Sequence, residues 1–142
     1  MPYAIELFFD NELEAKIFVM WKNLAKAKIT STMLDIGSRP HLCLAIYEDA
    51  DLEKLTKLVE DFAKTACSFP VKFGSVGSFD TNERVVILNP AENKELFDLH
   101  RDFHKSLPAD GFSCHEYYKP GIWLPHCTVA INVEVSKFEK AI

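Results

Sequence analysis

The sequence predicts an α+β or mixed α/β fold. The elements read strand, helix, strand, helix, and that order occurs twice, leaving antiparallel pairing open. Helical stretches show apolar residues at helical spacing, while the runs between them are short and strand-like. Within the two halves one segment recurs: Pro40–Ile46, PHLCLAI, returns as Pro125–Ile131, PHCTVAI, with Pro, His, Ala and Ile keeping their places. A chain of 142 residues is one domain's worth. The expectation is therefore one compact body over 1–142 with pseudo-twofold symmetry and lobes near 1–79 and 80–142.

Tyr3–Phe9 reads as the first strand. Asp10 can cap a helix in which Leu13, Ile17, Trp21 and Leu24 recur at helical spacing. A loop through Gly37 and Arg39 leads to strand Pro40–Tyr47, where Pro is acceptable as a first strand residue. Asp49 or Asp51 caps the second helix, with a stripe of Leu52, Leu55, Val59, Phe62 and Ala66. Phe69–Phe79 is extended but interrupted by Gly74 and Gly77, as a bulged strand or a hairpin arm.

The pattern then restarts with strand Arg84–Leu88. Asn89-Pro90 opens a helix carrying Leu96, Phe103 and Leu107, and a loop from Pro108 to Pro125 feeds strand His126–Ile131. Ser136 and Glu139 have capping-box spacing for a fourth helix, which has barely begun at Ile142. The expectation is a trimmed C-terminal helix or a missing final strand.

Composition narrows the function. Hydrophobic residues at 48% and charged residues at 26% are ordinary for a globular chain. A net charge of −5 argues against gripping long nucleic acids with a broad basic face, but leaves room for a small anion held by local donors. The opening MPYAIELFFDNELE lacks the basic and apolar regions of a targeting signal, and no apolar run approaches membrane-spanning length. Cys43, Cys67, Cys114 and Cys127 lack C-x-x-C spacing, which favours reduced thiols in a cytoplasmic protein.

The repeated segment carries the chemistry. Side chains alternate across a strand, so His41, Cys43 and Ala45 share one face, and His126, Thr128 and Ala130 share another. Each strand is expected to bury its apolar face and to leave space beside the Ala on the other. A cleft between the copies would set two imidazoles and two small polar groups toward each other. That suits displacement at phosphorus: one neutral His takes a proton while a protonated partner donates to the leaving oxygen. The residue at i+2 could donate to a nonbridging oxygen, and the scheme requires no metal or other cofactor.

His41-Leu-Cys43-Leu and His126-Cys-Thr128-Val resemble the paired H-x-[S/T]-x motifs of the two-histidine (2H) phosphoesterases, which include the 2′-5′ RNA ligase and cyclic phosphodiesterase group. YAIELFFD, RPHLCLA and WLPHCTVA sit where that group has them. The resemblance implies a bilobal α+β fold with both motifs on central strands. It also implies metal-independent cleavage or formation of a phosphodiester, typically at 2′,3′-cyclic phosphates or 2′-5′ links. His41 and His126 would be the acid/base pair, Thr128 a phosphate-oxygen donor, and Cys43 would stand where the other hydroxyl belongs. A thiol is the weaker donor. A nucleophilic role for Cys43 is disfavoured, and a space-filling one stays open.

Other residues complete the expected site. Tyr117, Tyr118 and Trp123 lie in the loop before the second motif and could stack on a base, although Trp123 could equally cap the core. Arg39 and Lys119 flank the motifs as phosphate attractors or ordinary surface charges. His100 and His104 have the spacing of a two-ligand metal site but lack a third ligand, so they read as a helix-surface pair. Gly74 and Gly77 in GSVGS fit neither a P-loop nor a Rossmann pattern. The expected partner is a small nucleotide, or RNA with a terminal cyclic phosphate, rather than a long duplex or a membrane. The alternative is a non-catalytic module that keeps the cleft to bind RNA ends or nucleotides.

Overall fold

Tyr3–Phe8 form the first strand, β1, in the computed structural model, which describes residues 2–79, 84–108 and 111–141. Asp10 follows in extended conformation and accepts from the Leu13 amide at 2.8 Å, capping α1 (Asn11–Lys26) as the sequence predicts. Glu12 and Glu14 in the first turn and Lys26 in the last complement the helix dipole. Ile17 and Trp21 are the buried members of the predicted stripe. Where the sequence suggested only a loop, a single turn of helix, α2 (Thr32–Asp35), is held by buried Met33. Strand β2 spans His41–Tyr47, with Pro40 just outside it.

Of the two candidate caps, Asp51 starts α3 (Leu52–Thr65), accepting from the amides of Glu53 and Lys54. The apolar stripe of α3 begins one turn later than predicted, because Leu52 is turned to solvent and Leu55 is the buried residue. Strand β3 (Phe73–Gly77) pairs antiparallel with β4 (Val86–Pro90), and the register slips between Phe73 and Ser75, so the interruption expected at Gly74 is a bulge.

Two boundaries in the second half differ from the expectation. Arg84 has φ +46° and stands outside the strand, which begins at Val86. Asn89-Pro90 does not open a helix. Asn89 and Pro90 remain in the ladder opposite Ser75 and Phe73, and the Ala91 amide extends the pairing to the Lys72 carbonyl at 2.7 Å. Asn93 supplies the cap instead, and α4 runs Lys94–Ser106. A short 3-10 turn at Glu116–Tyr118 interrupts the expected long loop, of which residues 109 and 110 lie outside the described residues.

Strand β5 (Cys127–Ala130) is shorter than predicted and pairs antiparallel with β4. Asn132, with φ +56°, turns the chain just beyond it. Ser136 sits inside a 3-10 turn, Val135–Lys137, rather than capping a helix, and α5 covers Phe138–Ala141. The predicted end at Ile142 lies outside the described residues. The fold is α+β, with sheets ordered β1-β2 and β3-β4-β5. No helix among the described residues is long and apolar enough to cross a membrane.

The chain packs as two compact units, each assembled from three stretches rather than from one consecutive half. The second comprises Leu7–Leu42, Phe73–Pro90 and His126–Ile142. Here α1 and α2 lie on β5, and the Trp21 indole donates to the Thr128 carbonyl at 3.3 Å. Val86, Ala130 and Val133 form a cluster closed by Leu24, Ile29, Phe138 and Ala141. Burying an aliphatic side chain of this size contributes about 1.5–3 kcal/mol.

The first unit comprises Met1–Glu6, Cys43–Lys72 and Ala91–Pro125. Phe62 of α3 meets Phe103 of α4 edge-on at 5.4 Å. Behind them His100 is buried, at 2% exposure, which corrects the helix-surface reading of His100 and His104. Its ring stacks flat on Trp123 at 3.9 Å, lies 4.4 Å from the His104 ring, and its Nε2 is 2.8 Å from the Tyr118 carbonyl. Of the two readings of Trp123, core packing describes the side chain, which is 4% exposed.

Burial, and secondarily the neighbouring His104, lowers the His100 pKa from 6.5 to about 4; burial lowers His104 as well. The unfolded chain therefore takes up protons near pH 6.5 that the folded chain refuses until about pH 4. Stability is expected to be fully present above the unfolded value and to fall through that window, by about 3 kcal/mol for His100. Thermal melts across the window check this. The acid-induced drop should shrink in His100→Phe, which keeps a ring on Trp123 but cannot titrate.

Candidate active site

Strand alternation distributes the repeated segment as the sequence predicts over its first residues. In β2, Leu42 and Leu44 are buried while His41 and Cys43 are half-buried; in β5, Cys127 and Val129 are buried while Thr128 is half-buried. The two Ala positions depart from the expectation. Ala45 and Ala130 are both at 0% exposure, so the space expected beside them is already filled. On the face that carries the motif, the His and the residue two places on are half-buried while the Ala is fully covered.

His41 is anchored through its own loop. Its Nδ1 lies 2.6 Å from the Arg39 carbonyl. A carbonyl only accepts, so Nδ1 carries the proton and the neutral ring keeps its lone pair on Nε2. Arg39 is itself held: its guanidinium meets both oxygens of Glu14 at 3.1–3.2 Å and lies over the Phe8 ring at 3.9 Å. Of the two readings of Arg39, the paired surface charge describes its side chain, while its backbone oxygen meets the His41 ring.

His126 is half-buried just before β5, with Phe79 edge-on to its ring at 4.8 Å. Thr128 stands opposite Ile87 on β4, and its carbonyl takes the Trp21 indole proton. The Cys127 thiol, pushed up to about 11 by burial, also takes a hydrogen bond from the His41 backbone, which acts in the lowering direction. That contact sets the start of β2 beside β5. His41, His126 and Thr128 accordingly belong to one compact unit.

Cys43, Tyr118 and Trp123 belong to the other unit. Burial pushes the Cys43 thiol up to about 12, and its Sγ lies 3.5 Å from the Ala45 carbonyl. The Tyr118 phenol is raised to about 12, first by burial and then by Cys43 beside it. Burial thus favours the protonated form of both groups, which disfavours a thiolate nucleophile at Cys43. Tyr117 is the exposed ring of the loop, at 72%. Lys119 lines a separate cleft of about 610 Å³ in the first unit, together with Asp49, His104, Phe112 and Cys114.

All four cysteines are free. Among the described residues, no group of three or more His, Cys, Asp or Glu side chains is placed to hold a metal ion. Sequence reasoning missed Phe79 and the Arg39 carbonyl. Phe79 is remote from His126 in the chain and carries no motif. The Arg39 contact is local, and a residue two places before a strand-initiating His is where an oxygen can reach back to Nδ1.

A search of curated proteins returns no match. A family model, that of the 2′-5′ RNA ligase superfamily, matches residues 35–142 and so takes in both copies of the Pro-His segment. Membership supports an enzyme of phosphoesterase or ligase type that acts on RNA or nucleotides. The chain belongs to the 2′-5′ RNA ligase superfamily, the 2H phosphoesterases.

Proposed function

We propose that the protein is a metal-independent phosphoesterase acting on the 2′,3′-cyclic phosphate or 2′-5′ phosphodiester of an RNA or small nucleotide. His41 and His126 are its general acid and base, and the repeated segments reflect an internal duplication. The observation that carries this reading is the duplicated Pro-His-x-[Cys/Thr] segment inside a family match covering both copies. Support comes from the orientation of His41, whose Nδ1 is occupied by the Arg39 carbonyl so that Nε2 is the working nitrogen.

In the proposed hydrolysis a water attacks phosphorus and gives its proton to one neutral imidazole. One P–O bond of the ring breaks, and the released sugar oxygen takes a proton from the other, protonated imidazole. Thr128 donates to a nonbridging oxygen as charge builds there. The Cys43 thiol, at the matching place after His41, is the weaker second donor. Tyr118, whose phenol lies beside Cys43, contacts the substrate, and buried Trp123 acts through packing. All four cysteines being free accords with a reducing, cytoplasmic setting.

Cys43 also favours the second reading, a module that binds RNA ends or nucleotides without turning them over. Incubation with a 2′,3′-cyclic nucleotide in excess chelator separates the two. Turnover is expected, and His41→Ala and His126→Ala should each lower it by roughly 10²–10⁴-fold. Binding without turnover in the unaltered chain would establish the module instead. The rate is expected to trace a bell around neutrality, since one imidazole must be neutral and one protonated; a flat profile would remove the acid/base pair. Cys43→Thr should raise kcat by about threefold to tenfold by restoring a hydroxyl donor, read from initial rates at saturating substrate.

A further inference from the structure

The His100–His104 pair takes no part in the proposed chemistry, yet both rings are fixed by main-chain oxygens. The His104 Nε2 lies 3.1 Å from the Leu44 carbonyl, and the Trp123 indole nitrogen donates to the Cys43 carbonyl at 2.9 Å. His100 stacks on Trp123 with an interplanar angle of 1° and reaches the Tyr118 carbonyl through its own Nε2. Consecutive carbonyls of β2 are thus satisfied by side chains of α4 and of the following loop. Both imidazoles must donate from Nε2, because their partners only accept.

We propose that His104 and Trp123, backed by the flat-stacked ring of His100, are positioning residues that clamp the backbone of β2 at Cys43 and Leu44. They fix the strand that starts with His41 without touching substrate. The Leu44 carbonyl shares an edge of β2 with the Ile46 carbonyl, which takes the His115 amide, so His104 supplies there the donor that a neighbouring strand would, while Trp123 adds one at the Cys43 carbonyl. Removing either donor takes one hydrogen bond from a carbonyl of β2 and loosens the strand at that point. The link to catalysis rests on the proposed two-histidine reaction; the link to the strand does not.

The experiment measures amide hydrogen exchange over Leu42–Tyr47, together with kcat and KM on a 2′,3′-cyclic nucleotide. Trp123→Phe keeps the stack and deletes only the indole donor; His104→Leu deletes the other, and His104→Gln returns an amide donor. Trp123→Phe and His104→Leu are each expected to speed exchange in β2 by about tenfold, with α1 as the internal control. The kcat should fall with KM within about twofold, and His104→Gln should recover most of both effects. Nitrogen-15 spectra at neutral pH should show both His100 and His104 as Nε2–H tautomers. Unchanged β2 exchange in Trp123→Phe, or His104→Gln behaving like His104→Leu, overturns the clamp. Faster exchange with kcat unaltered overturns the positioning role. If the unaltered chain turns over no cyclic nucleotide, the proposed reaction fails while the exchange data still decide the clamp.

Discussion

The hydrogen bond between His41 Nδ1 and the Arg39 carbonyl is the contact on which the proposed chemistry depends. It sets the tautomer of the neutral ring, placing the lone pair on Nε2, the nitrogen that the proposed reaction would use. The bond in turn relies on the backbone at Arg39, and the Arg39 side chain is fixed twice, by Glu14 from α1 and by the face of Phe8 from β1. An exposed ion pair contributes little to global stability. The value of this one lies in holding a loop oxygen in place.

The parts of the fold that were legible in the sequence are those governed by neighbours along the chain. Asp10 and Asp51 cap their helices because an aspartate one place before a helix can reach the free amides of its first turn. The alternation of β2 and β5 was readable because a strand inverts its side chains at every step. Asn89-Pro90 misled for a complementary reason. The pair has helix-opening chemistry, but the ladder to β3 continues through it, and that competing partner lies fourteen to seventeen residues away.

The site was legible to the same depth. The four motif positions could be named from the repeat alone, and the family match spans both copies of it. Burial could not be named. His100 looked like a surface residue because the ring that covers it, Trp123, arrives from a loop with no periodic signal. Ala45 and Ala130 looked like openings because their neighbours across the fold are invisible in a strand pattern. Cys43 shows the limit from the other direction. Its identity marked a departure from a hydroxyl, while its neutral state and its closeness to Tyr118 follow from packing.

The uneven burial of the cysteines has a practical consequence. Cys127 and Cys43 sit where desolvation suppresses ionisation, and Cys114 is shifted the same way, whereas Cys67 is exposed just beyond the end of α3. Alkylating reagents select the thiolate that is both formed and reachable. A fluorophore or spin label therefore goes to position 67 in the unmodified chain, and can report on the fold while the residues of the paired motif remain as nature wrote them.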